Sequence, residues 1–304
     1  MTAVAKLGGF AVFLVALFGV AAIAGSAIGP DRAGQSSASS HEGGHSGASA
    51  GHKQGADASD RADAVRGLAV SDRGLELALP QAELRRGRPA PLRFAIVGSD
   101  GQRVRDFELE HDKRMHLIVV RRDGRGFQHL HPKLGADGVW SARLTLPDAG
   151  AYRVFADFKR GGRAQTLATD LAVDGDADYR PLPAPASTAQ AGDGYEVRLD
   201  SGRVRAGQDA QLRFTVTRDG RPVRTEPYLG AGGHLVALRE GDLAYLHVHP
   251  VDDGTGHDQH EAGEHDRGVA FVSELPSAGR YGLYLQFKHA GRVHTAQFTQ
   301  EVAR

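Results

Sequence analysis

Two stretches of this chain repeat one another, and the duplication limits the fold more than any other feature. Leu84-Arg85-Arg86-Gly87 followed by Leu92-Arg93-Phe94 matches Val204-Arg205-Ala206-Gly207 followed by Leu212-Arg213-Phe214. His116-Leu117-Ile118-Val119-Val120-Arg121 matches His234-Leu235-Val236-Ala237-Leu238-Arg239, and Phe127-Gln128-His129-Leu130-His131-Pro132 matches Tyr245-Leu246-His247-Val248-His249-Pro250. Leu146-Pro147-Asp148-Ala149-Gly150-Ala151-Tyr152 matches Leu275-Pro276-Ser277-Ala278-Gly279-Arg280-Tyr281. Units of ~100 residues are too long for solenoid repeats and read as duplicated domains. We place them at residues 74–176 and 194–304, joined by a Pro-rich, semi-extended linker over 177–193.

Each unit is a series of short β-prone runs broken by Asp100-Gly101, Asp123-Gly124, Asp137-Gly138 or Asp219-Gly220. Arg213-Phe214-Thr215-Val216-Thr217 alternates with period two, as a half-buried strand does. Asp148-Ala149-Gly150-Ala151-Tyr152 resembles the turn that precedes the penultimate strand of immunoglobulin-like folds, where the Tyr hydroxyl bonds back to the corner backbone. The second unit keeps Gly279 and Tyr281 but has Ser277 for the Asp. The expected fold is all-β, with two tandem immunoglobulin-like β-sandwich domains.

Ahead of them, Phe10 to Ile28 is almost wholly apolar and free of charge. Nineteen residues of helix extend roughly 29 Å, about one hydrocarbon thickness. Residues 1–29 therefore read as a transmembrane anchor or, with Ala22-Ile23-Ala24 as a cleavage site, a signal peptide. Lys6 before the run places the later domains outside the cell membrane, single-pass if the anchor is kept and secreted if it is cleaved. Residues 30–73 are rich in Gly, Ser, Ala and Asp and read as a disordered stalk carrying His41, His45 and His52. With 37 basic and 37 acidic residues, the chain has no global field to draw in nucleic acid. The absence of cysteine excludes disulfides, thiolate nucleophiles and thiolate metal sites.

Histidine carries the chemistry. If Asp123-Gly124 is a two-residue type I′ turn, Ile118 faces His129 and His116 faces His131. His129 and His131 are two apart and share a face, so three imidazoles project from one side of the ribbon. With Gly241-Asp242 as the second turn, His234 faces His249, with His247 on the same side. Three imidazole nitrogens at strand spacings can converge on one Zn²⁺ or Cu²⁺. The hairpin candidates are therefore His116, His129, His131, His234, His247 and His249. The insert between Pro250 and Leu275 adds His257, His260 and His265 as auxiliary ligands, alongside the stalk histidines. Ile118, Val120 and Phe127 lie on the same face, as do Val236, Leu238 and Tyr245. That face is also readable as a core face, with the histidines a hydrogen-bonded structural cluster.

The His-Leu-x-Val hairpin, His-x-His-Pro and Pro-x-Ala-Gly-x-Tyr together resemble those of bacterial, largely actinobacterial, membrane-anchored extracytoplasmic proteins. The modules of that group look like the copper-resistance and YtkA-like families. The resemblance covers residues from about 75 to 304 and implies a role in copper or other heavy-metal homeostasis. It departs from copper-resistance sandwiches in lacking a Met-rich loop or a mature N-terminal His ligand. The leading expectation is thus a tethered, non-catalytic divalent-metal (Cu²⁺ or Zn²⁺) binding protein that could pass its ion to a transporter. The alternative is a structural or protein-interaction module with structural histidines. A cupin-like metal enzyme is a third reading. It lacks a Glu close after the His-x-His pair, and no Gly-x-Ser-x-Gly, His-Glu-x-x-His or phosphate loop is present.

Overall fold

The computed structural model describes residues 65–250 and 268–304, without the side chains of His247 and His249. Among the described residues there is no α-helix, and none could cross a membrane as a helix. The anchor or signal over 1–29, the stalk to residue 64 and the insert histidines lie outside the described residues.

The first repeat contributes β1 (Ser71–Asp72), β2 (Leu75–Ala78), β3 (Glu83–Leu84), β4 (Ala90–Gly98), β5 (His116–Arg121), β6 (Gln128–Leu130), β7 (Lys133–Leu134), β8 (Trp140–Leu144), β9 (Gly150–Arg160) and β10 (Arg163–Val173). One sheet runs β1-β2-β4-β8-β7 and the other β3-β10-β9-β5-β6. All pairings are antiparallel except β3 with β10. This is the A-B-E-D over G-F-C arrangement of an immunoglobulin-like sandwich. The Tyr152 hydroxyl donates to the Asp148 carbonyl (2.9 Å), and Tyr281 donates to the Ser277 carbonyl (3.0 Å). The tyrosine corner therefore survives the Asp-to-Ser difference, because the acceptor is backbone.

The second repeat contributes β11 (Thr188–Gln190), β12 (Tyr195–Asp200), β13 (Asp209–Arg218), β14 (Arg221–Pro222), β15 (His234–Arg239), β16 (Tyr245–His247), β17 (His249–Pro250), β18 (Val269–Glu274), β19 (Gly279–His289) and β20 (Arg292–Val302). Its sheets are β11-β12-β13-β18-β17, with β14 on β13, and β16-β15-β19-β20.

Burial patterns separate two kinds of strand. β12 alternates buried and exposed along its length, so one face packs and the other is wet. β5 is buried at every position, and its run His-Leu-Ile-Val-Val-Arg does not alternate. Its two faces have different partners. Leu117 and Val119 enter the core of the first sandwich, whereas Ile118 and Val120 enter a third apolar cluster shared with Val236, Leu238, Leu243, Tyr245 and Tyr284 of the second repeat. β15 divides in the same way, with Leu235 and Ala237 in its own core. The histidine-bearing face is thus neither a solvent face nor a sandwich core. It is the seam between the two sandwiches.

The seam contacts are reciprocal. Phe127 of the first repeat stacks on Tyr284 of the second (centroids 4.2 Å, 7° between planes), and Tyr245 of the second packs on Phe155 of the first (5.6 Å). Phe127 and Tyr245 are equivalent positions, as are Phe155 and Tyr284, so the repeats meet through one patch used twice. The Pro-rich segment closes one end of this seam. Arg180 N donates to Asp123 (3.0 Å), Leu182 N donates to Glu240 (3.2 Å), and Arg280 donates to the Leu182 and Pro183 carbonyls. This segment is a clamp over both hairpin tips rather than a free spacer. At residues 65–73, assigned above to the stalk, Arg66 and Tyr245 exchange backbone hydrogen bonds (3.1 and 2.9 Å), and Arg153 donates to the Gly67 and Leu68 carbonyls. Backbone pairing orders this stretch, which composition alone cannot reveal.

Candidate metal centre

β5 and β6 hold the first hairpin in the expected strand register, with Ile118 opposite His129. The turn differs from expectation. A type I′ turn needs positive φ at both central residues, but Asp123 is not in that region, and Gly124 (81°) and Gly126 (63°) are. Gly124 N bonds to Arg121 O (2.8 Å) and Arg121 N to Arg125 O (2.8 Å), closing a three-residue loop. That shifts the pairing by one, and an extra residue around Gly126 shifts it back. In the second hairpin Val236 lies opposite His247 as expected, but the loop spans four residues, closed by Leu243 N to Arg239 O (2.9 Å).

The ladders stop short of the outer histidines. β6 ends at Leu130, so His131 lies beyond the pairing with β5. His249 pairs with Val272 in the other sheet and does not lie opposite His234 in the ladder. The strand has switched sheets after Val248, which overrides the simple extrapolation of hairpin register.

His116, His129 and His131 nevertheless converge. Each offers a nitrogen within 4.8 Å of the others, and the ring centroids stand 5.1, 5.1 and 4.8 Å apart. A ring of the second repeat joins them: His234 lies 5.5 Å from His116 and 4.8 Å from His129. His111, which spacing arguments overlooked, lies 6.2 Å from His116 and 5.6 Å from His234. The two hairpins, expected to form two sites, thus place three rings from one and one from the other in a single cluster, which His111 joins from outside the hairpins. His247 and His249 are side chains outside the described residues, as are His41, His45, His52, His257, His260 and His265.

Hydrogen bonds orient the rings. His116 Nε2 lies 3.0 Å from the Glu110 carbonyl, His116 Nδ1 lies 2.9 Å from His129 Nε2, and His129 Nδ1 lies 2.7 Å from Gln286 Oε1 of the second repeat. His131 Nε2 is buried and has no hydrogen-bond partner. Burial, reinforced by His116 and His131, pushes His129 down to about 3, and burial with His116 and Lys113 nearby pushes His131 down to about 4. Both rings are therefore neutral at pH 7, the state that ligates a metal.

Beside the rings, β9 sets Asp157 opposite His116. This carboxylate is 2% exposed and accepts from Thr166 Oγ1 (2.7 Å) and from the Tyr245 hydroxyl (3.1 Å) across the seam. Gln286 is the equivalent residue of the second repeat and bonds to Thr295 (3.3 Å). Sequence reasoning passed over both, although each is a polar residue inside an apolar run, Phe155-Ala156-Asp157-Phe158 and Leu283-Tyr284-Leu285-Gln286-Phe287. The arrangement offers neutral nitrogen donors at His129 and His131 and a nearby buried carboxyl group.

No curated protein matches the sequence. Among solved structures, the chain is similar to FdeC, an Escherichia coli adhesin (13% identity, 78% of this chain and 66% of that one, TM-score 0.25). It is also similar to the Yersinia pseudotuberculosis adhesin InvE (11%, 77% and 60%, TM-score 0.23) and to the tandem Ig repeats of Dlar (10%, 76% and 98%, TM-score 0.21). The chain spans about two thirds or less of the length of the two adhesins. One family model matches twice, over residues 69–175 and 188–304. The chain therefore belongs to the DUF8832 family, a domain of unknown function, and carries two copies of that domain.

Proposed function

We propose that the protein is a non-catalytic, extracytoplasmic tandem immunoglobulin-like module that displays two sandwiches as one stiff body for interaction with other proteins. The observation that supports this reading is the seam. Each repeat uses its histidine-bearing face to cover that of the other, and the linker clamps both hairpin tips. A fixed angle between modules serves presentation, whereas a flexible joint would not need reciprocal packing. The test is Val236→Asp, which puts a charge among Ile118, Val120 and Tyr284. Small-angle scattering should show wild-type protein with one fixed interdomain geometry and the variant with a spread of them. Equal spreads in both would sink the reading.

A second reading is favoured by a separate observation, the converging nitrogens of His116, His129 and His131. In this reading the module captures a divalent transition metal, Cu²⁺ or Zn²⁺, outside the membrane, as the family resemblance implies. Chelator competition with purified protein tests it. Binding no tighter than that of a His116→Ala/His129→Ala/His131→Ala variant would remove the site.

A further inference from the structure

The tautomers of the clustered rings follow from what they touch. A backbone carbonyl can only accept, so His116 donates from Nε2 to Glu110 (3.0 Å), and in its neutral form, the form that ligates a metal, it carries its lone pair on Nδ1. The Gln286 Oε1 atom also only accepts, so His129 donates from Nδ1 (2.7 Å) and carries its lone pair on Nε2. Those two lone-pair nitrogens face each other at 2.9 Å. Two acceptors at that separation repel, and a cation between them reverses the sign. The third nitrogen, His131 Nε2, is buried without a hydrogen-bond partner.

We propose that His116 Nδ1, His129 Nε2 and His131 Nε2 form a three-nitrogen site for one divalent transition ion, and that Gln286 of the second repeat completes it as the outer partner orienting His129. This rests on the metal reading above and adds that the site belongs to the docked pair of repeats rather than to one hairpin. A tetrahedral ion bound at ~2.0–2.1 Å needs nitrogens about 3.4 Å apart, so the His116–His129 pair must open by roughly half an ångström. Outer hydrogen bonds that fix the tautomer and direction of ligating histidines are as much part of a metal site as the ligands. Here one such bond stays within the first repeat (Glu110) and the other crosses the seam (Gln286). The buried carboxyl group of Asp157, held by Thr166 and the second repeat's Tyr245, stands opposite His116 on the neighbouring strand. Metal binding and docking of the repeats are then linked: whatever separates the sandwiches removes the Gln286 bond, and a bound ion resists separation.

The competing arrangement of the same atoms rotates the Gln286 amide. Its NH₂ would donate to His129 Nδ1, and His129 Nε2–H would donate to His116 Nδ1, giving a satisfied chain with no ion. Gln286 variants separate the two. Gln286→Glu, when ionised, can only accept and enforces the ligating tautomer of His129, while Gln286→Leu removes the acceptor. Full-length protein in detergent would be titrated with Zn²⁺ and with Cu²⁺ against a chromophoric chelator. Binding that persists in the triple His→Ala variant, from histidines elsewhere in the chain, would be subtracted. Gln286→Leu should bind about 10–100-fold more weakly than wild type, and Gln286→Glu as tightly or more tightly. If Gln286→Leu binds like wild type, the cross-repeat role is overturned while metal capture stands. If both variants weaken alike, Gln286 acts by packing only, and the proposal fails in the same way. No site-specific binding by wild type overturns both. Should Gln286→Leu not fold in a metal-free melt, the Gln286→Glu variant decides: a tenfold loss there overturns the proposal.

Discussion

Removing protons from solution should stabilise this protein over a defined window, and His129 sets the scale. Its ring is buried at the seam, and burial holds it at about 3 against an ordinary 6.5. The unfolded chain takes up a proton near 6.5 and the folded chain does not until far lower. The unfolded state therefore binds more protons between those limits, and stability falls as pH falls through that range. At pH 5 the unfolded ring is almost wholly protonated and the folded ring still neutral. At about 1.4 kcal/mol per pH unit, His129 alone lowers stability by about 2 kcal/mol between pH 7 and pH 5. His131 acts in the same direction, by less than its position near 4 implies, because part of that ring meets solvent. Urea unfolding of chelator-treated protein at pH 7, 6 and 5 measures the slope. His129→Gln should be less stable at pH 7 but should lose much of the pH dependence. A flat wild-type profile, or an unchanged slope in His129→Gln, would refute the argument that this ring is buried neutral in the seam.

Other substitutions probe the scaffold. Arg121→Ala should cost up to about 3 kcal/mol in urea unfolding, because it strips the charged partner (2.7 Å) from Asp123, whose side chain is only 6% exposed and keeps the backbone donors of Arg125 and Arg180. Gly124→Ala should lose well over ~1 kcal/mol, since φ is +81° and a Cβ would stand 2.7 Å from Leu182 and 2.9 Å from the Tyr284 hydroxyl. The same change should speed proteolysis at the displaced linker. Tyr152→Phe should cost about 1 kcal/mol by removing the corner bond to Asp148, read as a lower urea midpoint with the m-value unchanged.

Much of this molecule was legible in the chain because its information is local or repeated. The duplicated Leu-Arg-Phe, His-x-His-Pro and Ala-Gly-x-Tyr segments announce two like domains, and turn dipeptides between β-prone runs announce sandwiches. Strand register in both hairpins followed from counting back from the turns. It held even though the first turn is a three-residue loop, because the bulge at Gly126 restored the count. The convergence of His116, His129 and His131 was legible for the same reason.

What the chain could not disclose is which surface covers which. Ile118 and Val120 are apolar whether they face a sandwich core or a second domain, since burial draws on apolar area and carries no direction. Only the docking of the repeats decides that this face is a seam, and with it that His234 joins the first repeat's rings and that Gln286 reaches His129 across 157 positions of chain. The Pro-rich segment and residues 66–68 are ordered for a similar reason: their backbone groups find partners that exist only once both sandwiches are in place.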